Sequence, residues 1–121
     1  MAIKKILVVD DSATDRLFLT ELLSKSGFNV STAESAEDAM LKVKQSRPDL
    51  VLMDVVLPGQ NGFQATRALT RDESTKTIPV ILCTSKGQET DRVWGLRQGA
   101  RDYIVKPINQ AELLAKISAL K

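Results

Sequence analysis

Four short apolar runs in this 121-residue chain each end in a polar or charged residue, and that pattern limits the fold more than any other feature. Ile6-Leu7-Val8-Val9 leads into Asp10 and Asp11, and Leu50-Val51-Leu52-Met53 leads into Asp54. Val80-Ile81-Leu82-Cys83 leads into Thr84, and Tyr103-Ile104-Val105 leads into Lys106-Pro107. Such runs are too short for buried helices and lack the polar alternation of a half-exposed strand. They read as strands buried on both faces, the condition of a parallel sheet covered by helices. In a sheet of that kind the carboxyl ends of the strands form one edge, where ligands bind. The pattern predicts that Asp10, Asp11, Asp54, Thr84 and Lys106 gather there.

The intervening segments support this. Strand-like runs begin near Ile6, Asn29, Asp49, Ile78 and Arg101, and each is followed by helical spacing. Ser12 with Asp15 three residues on is a capping signal, and Phe18, Leu19, Leu22 and Leu23 then form one apolar stripe ending before Gly27. Ser35 can cap a second helix with Ala36, Ala39, Met40 and Val43 inward and Pro48 beyond its end. A third is expected from about Asn61 to Thr70, and a fourth from about Gln88 to Gln98, stopping at Gly99. The last starts at Asn109, with Glu112 three residues later, and carries Leu113, Leu114, Ile117 and Leu120. Strand and helix alternating five times predict one α/β domain over residues 1–121, doubly wound, with right-handed crossovers.

Composition excludes several function classes. Aromatic residues make up only 4% of the chain, so the core is expected to be aliphatic. The formal charge of +2 is too small to point to nucleic acid as a partner. No apolar stretch reaches the ~18–20 residues of a membrane span. The opening Met-Ala-Ile-Lys-Lys runs straight into a strand, without a signal-peptide pattern. Cys83 is the single cysteine and the chain has no histidine, which removes internal disulfides, Ser-His-Asp or Cys-His nucleophiles and His-ligated metals. A cytoplasmic protein working through carboxylates, hydroxyls, lysine or a hard cation is expected.

Carboxylates ~4 Å apart repel by roughly 4 kcal/mol at an effective dielectric of ~20, so three together call for a cation. All-oxygen donors favour Mg²⁺, with Mn²⁺ able to substitute. Three aspartates, Mg²⁺ and Lys106 sum to zero formal charge. A carboxylate so placed can accept a phosphoryl group, and Thr84 can donate to a phosphoryl oxygen. Plainer readings stand beside this one. Asp10-Asp11 can be a turn or helix cap, Asp54 can open the Leu57-Pro58-Gly59 loop, Thr84 can cap a strand end and Lys106 can be solvated. Two rival functions also stand. An aspartate-nucleophile phosphatase wants a second acid two residues after the nucleophile, where Val56 lies. A nucleotide or flavin module wants a glycine-rich first turn, where Asp10-Asp11-Ser12 lies.

The motifs Val8-Val9-Asp10-Asp11-Ser12, Leu52-Met53-Asp54-Val55-Val56-Leu57-Pro58-Gly59, Thr84-Ser85-Lys86 and Gly99 through Pro107 together resemble the receiver domains of two-component response regulators. The resemblance covers the whole chain and implies a CheY-like, flavodoxin-like sheet of order 2-1-3-4-5 with five helices. It implies Asp54 as phosphoacceptor, with a histidine kinase as donor. It implies Mg²⁺ held by Asp11, Asp54 and the backbone carbonyl of Val56, with Asp10 orienting the metal shell. Lys106 would contact the phosphoryl group beside Thr84, the Lys106-Pro107 bond would be cis, and Thr84 and Tyr103 would be the switch pair. The segments 61–67 and 88–95 are most similar to the PilH-like stand-alone regulators of type IV pilus twitching systems. A degenerate receiver acting as a scaffold is the remaining alternative, and the filled acidic, hydroxyl and lysine positions count against it.

The chain ends soon after the fifth helix, so output is expected through protein contact at helix four, strand five and helix five, with Trp94 and Tyr103 on that surface. Such a protein is no enzyme beyond its own phosphoryl acceptance and loss. If Val93 and Leu96 face inward, Trp94 points sideways or outward, as a partner anchor or covered by loops. Val56 and Lys86, two residues after Asp54 and Thr84, affect water access. Val56 is expected to withhold a polar group from attacking water and so to prolong the phosphorylated state. Cys83 is expected to be a packing residue.

Overall fold

The computed structural model describes residues 3–85 and 88–120; Lys86 lies outside the described residues. Five strands and five helices alternate: β1 (Lys5–Val9), α1 (Ala13–Lys25), β2 (Asn29–Ala33), α2 (Ala36–Ser46), β3 (Leu50–Met53), α3 (Gly62–Arg71), β4 (Val80–Thr84), α4 (Glu89–Arg97), β5 (Asp102–Val105) and α5 (Gln110–Ser118). All strand pairs are parallel and the sheet order is β2-β1-β3-β4-β5, the doubly wound arrangement expected.

Period-two side-chain alternation sorts each strand between two cores. Leu7, Val9, Val51, Met53, Val80 and Leu82 pack with Ala36, Ala39 and Val43 of α2 and Ala65 and Leu69 of α3. Ile6, Val8, Leu50, Leu52, Ile81, Cys83 and Ile104 pack on the other face with Leu19, Leu22 and Leu23 of α1 and Leu113 and Ile117 of α5. Each fully buried Leu or Ile contributes about 1.5–3 kcal/mol. This two-sided burial explains why the strands carry no polar alternation. Edge strand β2, with Asn29, Ser31 and Thr32, is the polar exception.

Four helices start where an oxygen-bearing side chain satisfies a free backbone N–H. Ser12, Ser35, Asn61 and Asn109 accept from the amides of Asp15, Asp38, Gln64 and Glu112. Helix α4 has no side-chain cap and buries only Gly95.

The apolar stripe expected on α1 is corrected at Phe18, and the condition that Val93 and Leu96 face inward is not met. Phe18 is 49% exposed, because Leu19, Leu22 and Leu23 already fill the face that α1 turns to the sheet. Val93 and Leu96 are both exposed, and Trp94 between them is 49% exposed. Helix α4 approaches the sheet through Gly95, where an added Cβ would lie 2.6 Å from Leu82 Cδ1 and 3.3 Å from Tyr103 Cδ2. Its larger side chains are thereby turned away.

Candidate functional site: an acidic pocket at the carboxyl edge of the sheet

The backbone ladder continues one residue past each apolar run and fixes the acids in place. The Asp10 amide donates to the Ala33 carbonyl at 3.1 Å, and the Asp54 amide to the Val9 carbonyl at 2.9 Å. Asp10 and Asp54 are therefore positioned as sheet residues, at the ends of neighbouring strands β1 and β3. Beyond Asp54 the chain must return to start α3, and Gly62 makes that possible. Its amide donates to the Val55 carbonyl at 2.9 Å, and a Cβ there would lie 2.0 Å from the Asp54 carbonyl oxygen.

Asp10, Asp11 and Asp54 each present a carboxylate oxygen within 4.8 Å of the others. Asp10 and Asp54 are buried and Asp11 is exposed at the mouth. Three carboxylate oxygens at that spacing are the donor set of a hard divalent cation. Burial raises the Asp10 pKa above its ordinary value, and the nearby Asp54 charge adds to this. Hydrogen bonds from Lys106 and the Ser12 amide act in the opposite direction without cancelling it.

Lys106 enters from the end of β5. Its amide donates to the Thr84 carbonyl at 2.8 Å, and the Lys106-Pro107 peptide is cis. Its ammonium donates to Asp10 Oδ2 at 2.7 Å, Asp15 Oδ2 at 2.8 Å and Asp54 Oδ2 at 3.2 Å. Burial disfavours the charge on Lys106, but the hydrogen bonds to Asp10 and Asp15 and the charge of Asp54 outweigh it and hold its pKa above the ordinary lysine value. Asp54 is thus held from two sides, because its Oδ1 accepts the Val56 amide at 3.3 Å. Thr84 is fully buried at the end of β4, paired in register with Val105.

The structure thus brings together Asp10, Asp11, Asp54, Lys106 and the strand end carrying Thr84. Tyr103 is corrected: expected on the docking face, it is only 5% exposed, its ring lying below α4 against Gly95. Burial, with the charges of Asp91 and Asp54, pushes its phenol up to about 12. Trp94 and Val105 do lie on the α4–β5 surface, both exposed. Cys83 is buried and its thiol is pushed up to about 12 by that burial, so it stays protonated and packs.

Two pocket residues carry no sign of a site role in the sequence. Asp15 served there only as part of a capping signal, yet it reaches Lys106 across the pocket. Arg16 donates to the Asp10 carbonyl at 2.7 Å and pairs with Glu34 at 3.3 Å. Thr14, Asp15, Phe18, Leu19, Lys106, Pro107 and Ile108 line an open cleft of about 280 Å³ beside the acids. Among the described residues no helix is long and apolar enough to cross a membrane.

Comparison with known proteins agrees with this geometry. The chain is 54% identical over 116 residues to Protein PilH of Pseudomonas aeruginosa, covering 96% of each. It is 42% identical over 117 residues to the phosphate regulon transcriptional regulatory protein PhoB of Escherichia coli, of which it spans about half, 51%. Among solved structures, a putative response regulator from Chloroflexus aurantiacus superposes with a TM-score of 0.93 at 30% identity, over 98% of this chain and 97% of that one. Chemotaxis protein CheY4 of Vibrio cholerae gives 0.91 at 29% identity, over 99% and 100%. The response regulator receiver domain family matches residues 6–118, and the chain belongs to it.

Proposed function

We propose that this domain accepts a phosphoryl group on Asp54 from a phosphohistidine of a histidine kinase and signals by a changed protein contact. The observation that carries this reading is the placement of Asp54, its carboxylate oxygen within 4.8 Å of those of Asp10 and Asp11 and 3.2 Å from the Lys106 ammonium. In the transfer a carboxylate oxygen of Asp54 forms the new bond to phosphorus. The bond from phosphorus to the donor imidazole nitrogen breaks, and its electron pair leaves with that nitrogen.

Asp11, Asp54 and the Val56 backbone carbonyl would hold Mg²⁺ or Mn²⁺, and Asp10 would orient its shell. When bound, the cation offsets carboxylate charge and stabilises charge on the phosphoryl oxygens. Lys106 and the Thr84 hydroxyl bind those oxygens, so the chain's own residues orient the group and supply fixed positive charge. Asp54 is consumed and regenerated, so the domain is no enzyme beyond its own phosphoryl acceptance and loss.

Thr84 and Tyr103 act as the switch on neighbouring strands, Thr84 at the end of β4 and Tyr103 near the start of β5, in register with Leu82. A partner that prefers one of their arrangements shifts the equilibrium by its affinity difference and by no more. The exposed Val93, Trp94, Leu96 and Val105 make the α4–β5–α5 face the proposed contact for a downstream protein, without nucleic acid or membrane insertion. The likeness to PilH supports a place in type IV pilus twitching or chemotaxis-like control, in the cytoplasm. The test is intact mass after incubation with Mg²⁺ and acetyl phosphate. One added phosphoryl group is expected, lost in Asp54→Ala; no addition to the wild-type chain would favour a scaffold.

A further inference from the structure

The three protons of the Lys106 ammonium face three carboxylates, those of Asp10, Asp15 and Asp54. A phosphoryl group on Asp54 inherits the hydrogen bond that Asp54 accepts, and to take a second one from this ammonium it has to displace Asp10 or Asp15. Asp10 is a poor choice. Its side chain is 3% exposed, and its other oxygen accepts the Ser12 amide at 2.9 Å. Asp54 carries the phosphoryl group itself. Asp15 is different, because its side chain is 41% exposed and stands in the first turn of α1 rather than on the sheet. Released from Lys106, its carboxylate regains water at little cost.

We propose that Asp15 is a positioning residue that holds the Lys106 ammonium until a phosphoryl group on Asp54 displaces it; this rests on the reading of Asp54 as phosphoacceptor. Asp15 restrains the ammonium between α1 and the sheet and competes with the arriving anion for it. It also adds negative charge to the pocket. Four carboxylates (−4) and one ammonium (+1) leave −3, and a divalent cation brings the site to −1. Without the Asp15 charge the cation-filled site is neutral. Asp15 therefore favours binding of the cation and opposes binding of the anion.

These opposite signs separate a positioning role from a structural one, since a damaged pocket loses affinity for both. The experiment compares wild type, Asp15→Asn and Glu21→Gln. The last removes a carboxylate from the same helix, at an exposed position six residues further on. Binding of Mg²⁺ alone is read by calorimetry, and binding of beryllofluoride, a phosphoryl-sized anion, at saturating Mg²⁺ by fluorine NMR. Asp15→Asn is expected to weaken Mg²⁺ about two- to fivefold and to tighten beryllofluoride by about the same factor. Glu21→Gln is expected to shift neither by as much as about twofold. Unchanged affinities, two shifts of the same sign, or equal shifts in Glu21→Gln would overturn the proposal while leaving the role of Asp54 intact. A wild-type chain that binds Mg²⁺ but no beryllofluoride would refute the acceptor reading, and the proposal with it.

Discussion

Replacing Gly62 by alanine tests whether the return of the chain behind Asp54 is as tight as the structure has it. Gly62 is the first residue of α3, where alanine is ordinarily the better choice by about 0.4–1 kcal/mol. The structure predicts the opposite sign. The new Cβ would lie 2.0 Å from the Asp54 carbonyl oxygen, 2.8 Å from its carbonyl carbon and 2.8 Å from Val55 Cα. All three are backbone atoms, so no side-chain rotation relieves the clash. Ordinary contact begins at 3.4 Å, which leaves the first of these distances about 1.4 Å short. Overpacking of this kind costs about 1–3 kcal/mol, and loss of the Gly62 to Val55 hydrogen bond adds about 1 kcal/mol. A net loss of about 2–4 kcal/mol is expected, lowering the urea midpoint by about 1–2 M. A midpoint equal to or above that of the wild-type chain would refute the placement of Gly62 against Asp54, and with it the constraint that aims the acceptor.

Other outcomes follow from the same geometry. Mg²⁺ at about a hundred times its dissociation constant is expected to stabilise the domain by about 2.7 kcal/mol in urea unfolding, reversed by a chelator and mostly lost in Asp11→Asn; an unfolding curve indifferent to Mg²⁺ would contradict the cation site. Asp49 Oδ2 accepts the Lys5 and Lys4 amides at 2.9 Å each, joining the starts of β1 and β3, and these bonds hold its pKa below the ordinary 3.8. A depressed carboxylate stabilises the fold above its unfolded value and ceases to do so as pH falls through its folded value. Asp49→Ala is therefore expected to lose about 1 kcal/mol near neutrality, with the difference from wild type shrinking as pH drops below 3.8; a difference independent of pH would exclude this clamp. Val56 is 52% exposed two residues after Asp54, and Val56→Asn is expected to speed decay of the phosphorylated mass, whereas equal or slower decay would remove its protective role.

The convergence of Asp10, Asp54 and the Thr84–Lys106 strand ends was legible in the sequence for a definite reason. Asp10, Asp54 and Thr84 each follow a run apolar at every position, as strands buried on both faces require, whereas the run before Lys106 lies on edge strand β5 and ends in the exposed Val105. The parallel ladder then extends one residue further and carries the acids with it. Helix starts were legible because Ser12, Ser35, Asn61 and Asn109 serve their own neighbouring amides, an interaction local in sequence.

What stayed hidden depends on distant parts of the chain. Asp15 meets Lys106 from 91 residues away, and its capping position already gave it a sufficient local role. Tyr103 is buried because Gly95, on a different element, leaves room for its ring. Phe18 belongs to the apolar pattern of α1, yet the sheet accepts only the face bearing Leu19, Leu22 and Leu23. Helical periodicity gives the direction of a side chain about its axis, but not how closely the helix approaches the sheet.

The central claim is that one carboxylate, that of Asp54, becomes phosphorylated. After phosphorylation by acetyl phosphate with Mg²⁺, borohydride reduces an aspartyl phosphate to homoserine, which peptide mass spectrometry can place. The account predicts homoserine at position 54 alone, absent when Mg²⁺ is chelated. Homoserine at position 10, 11 or 15, or none anywhere after phosphodonor treatment, would contradict it.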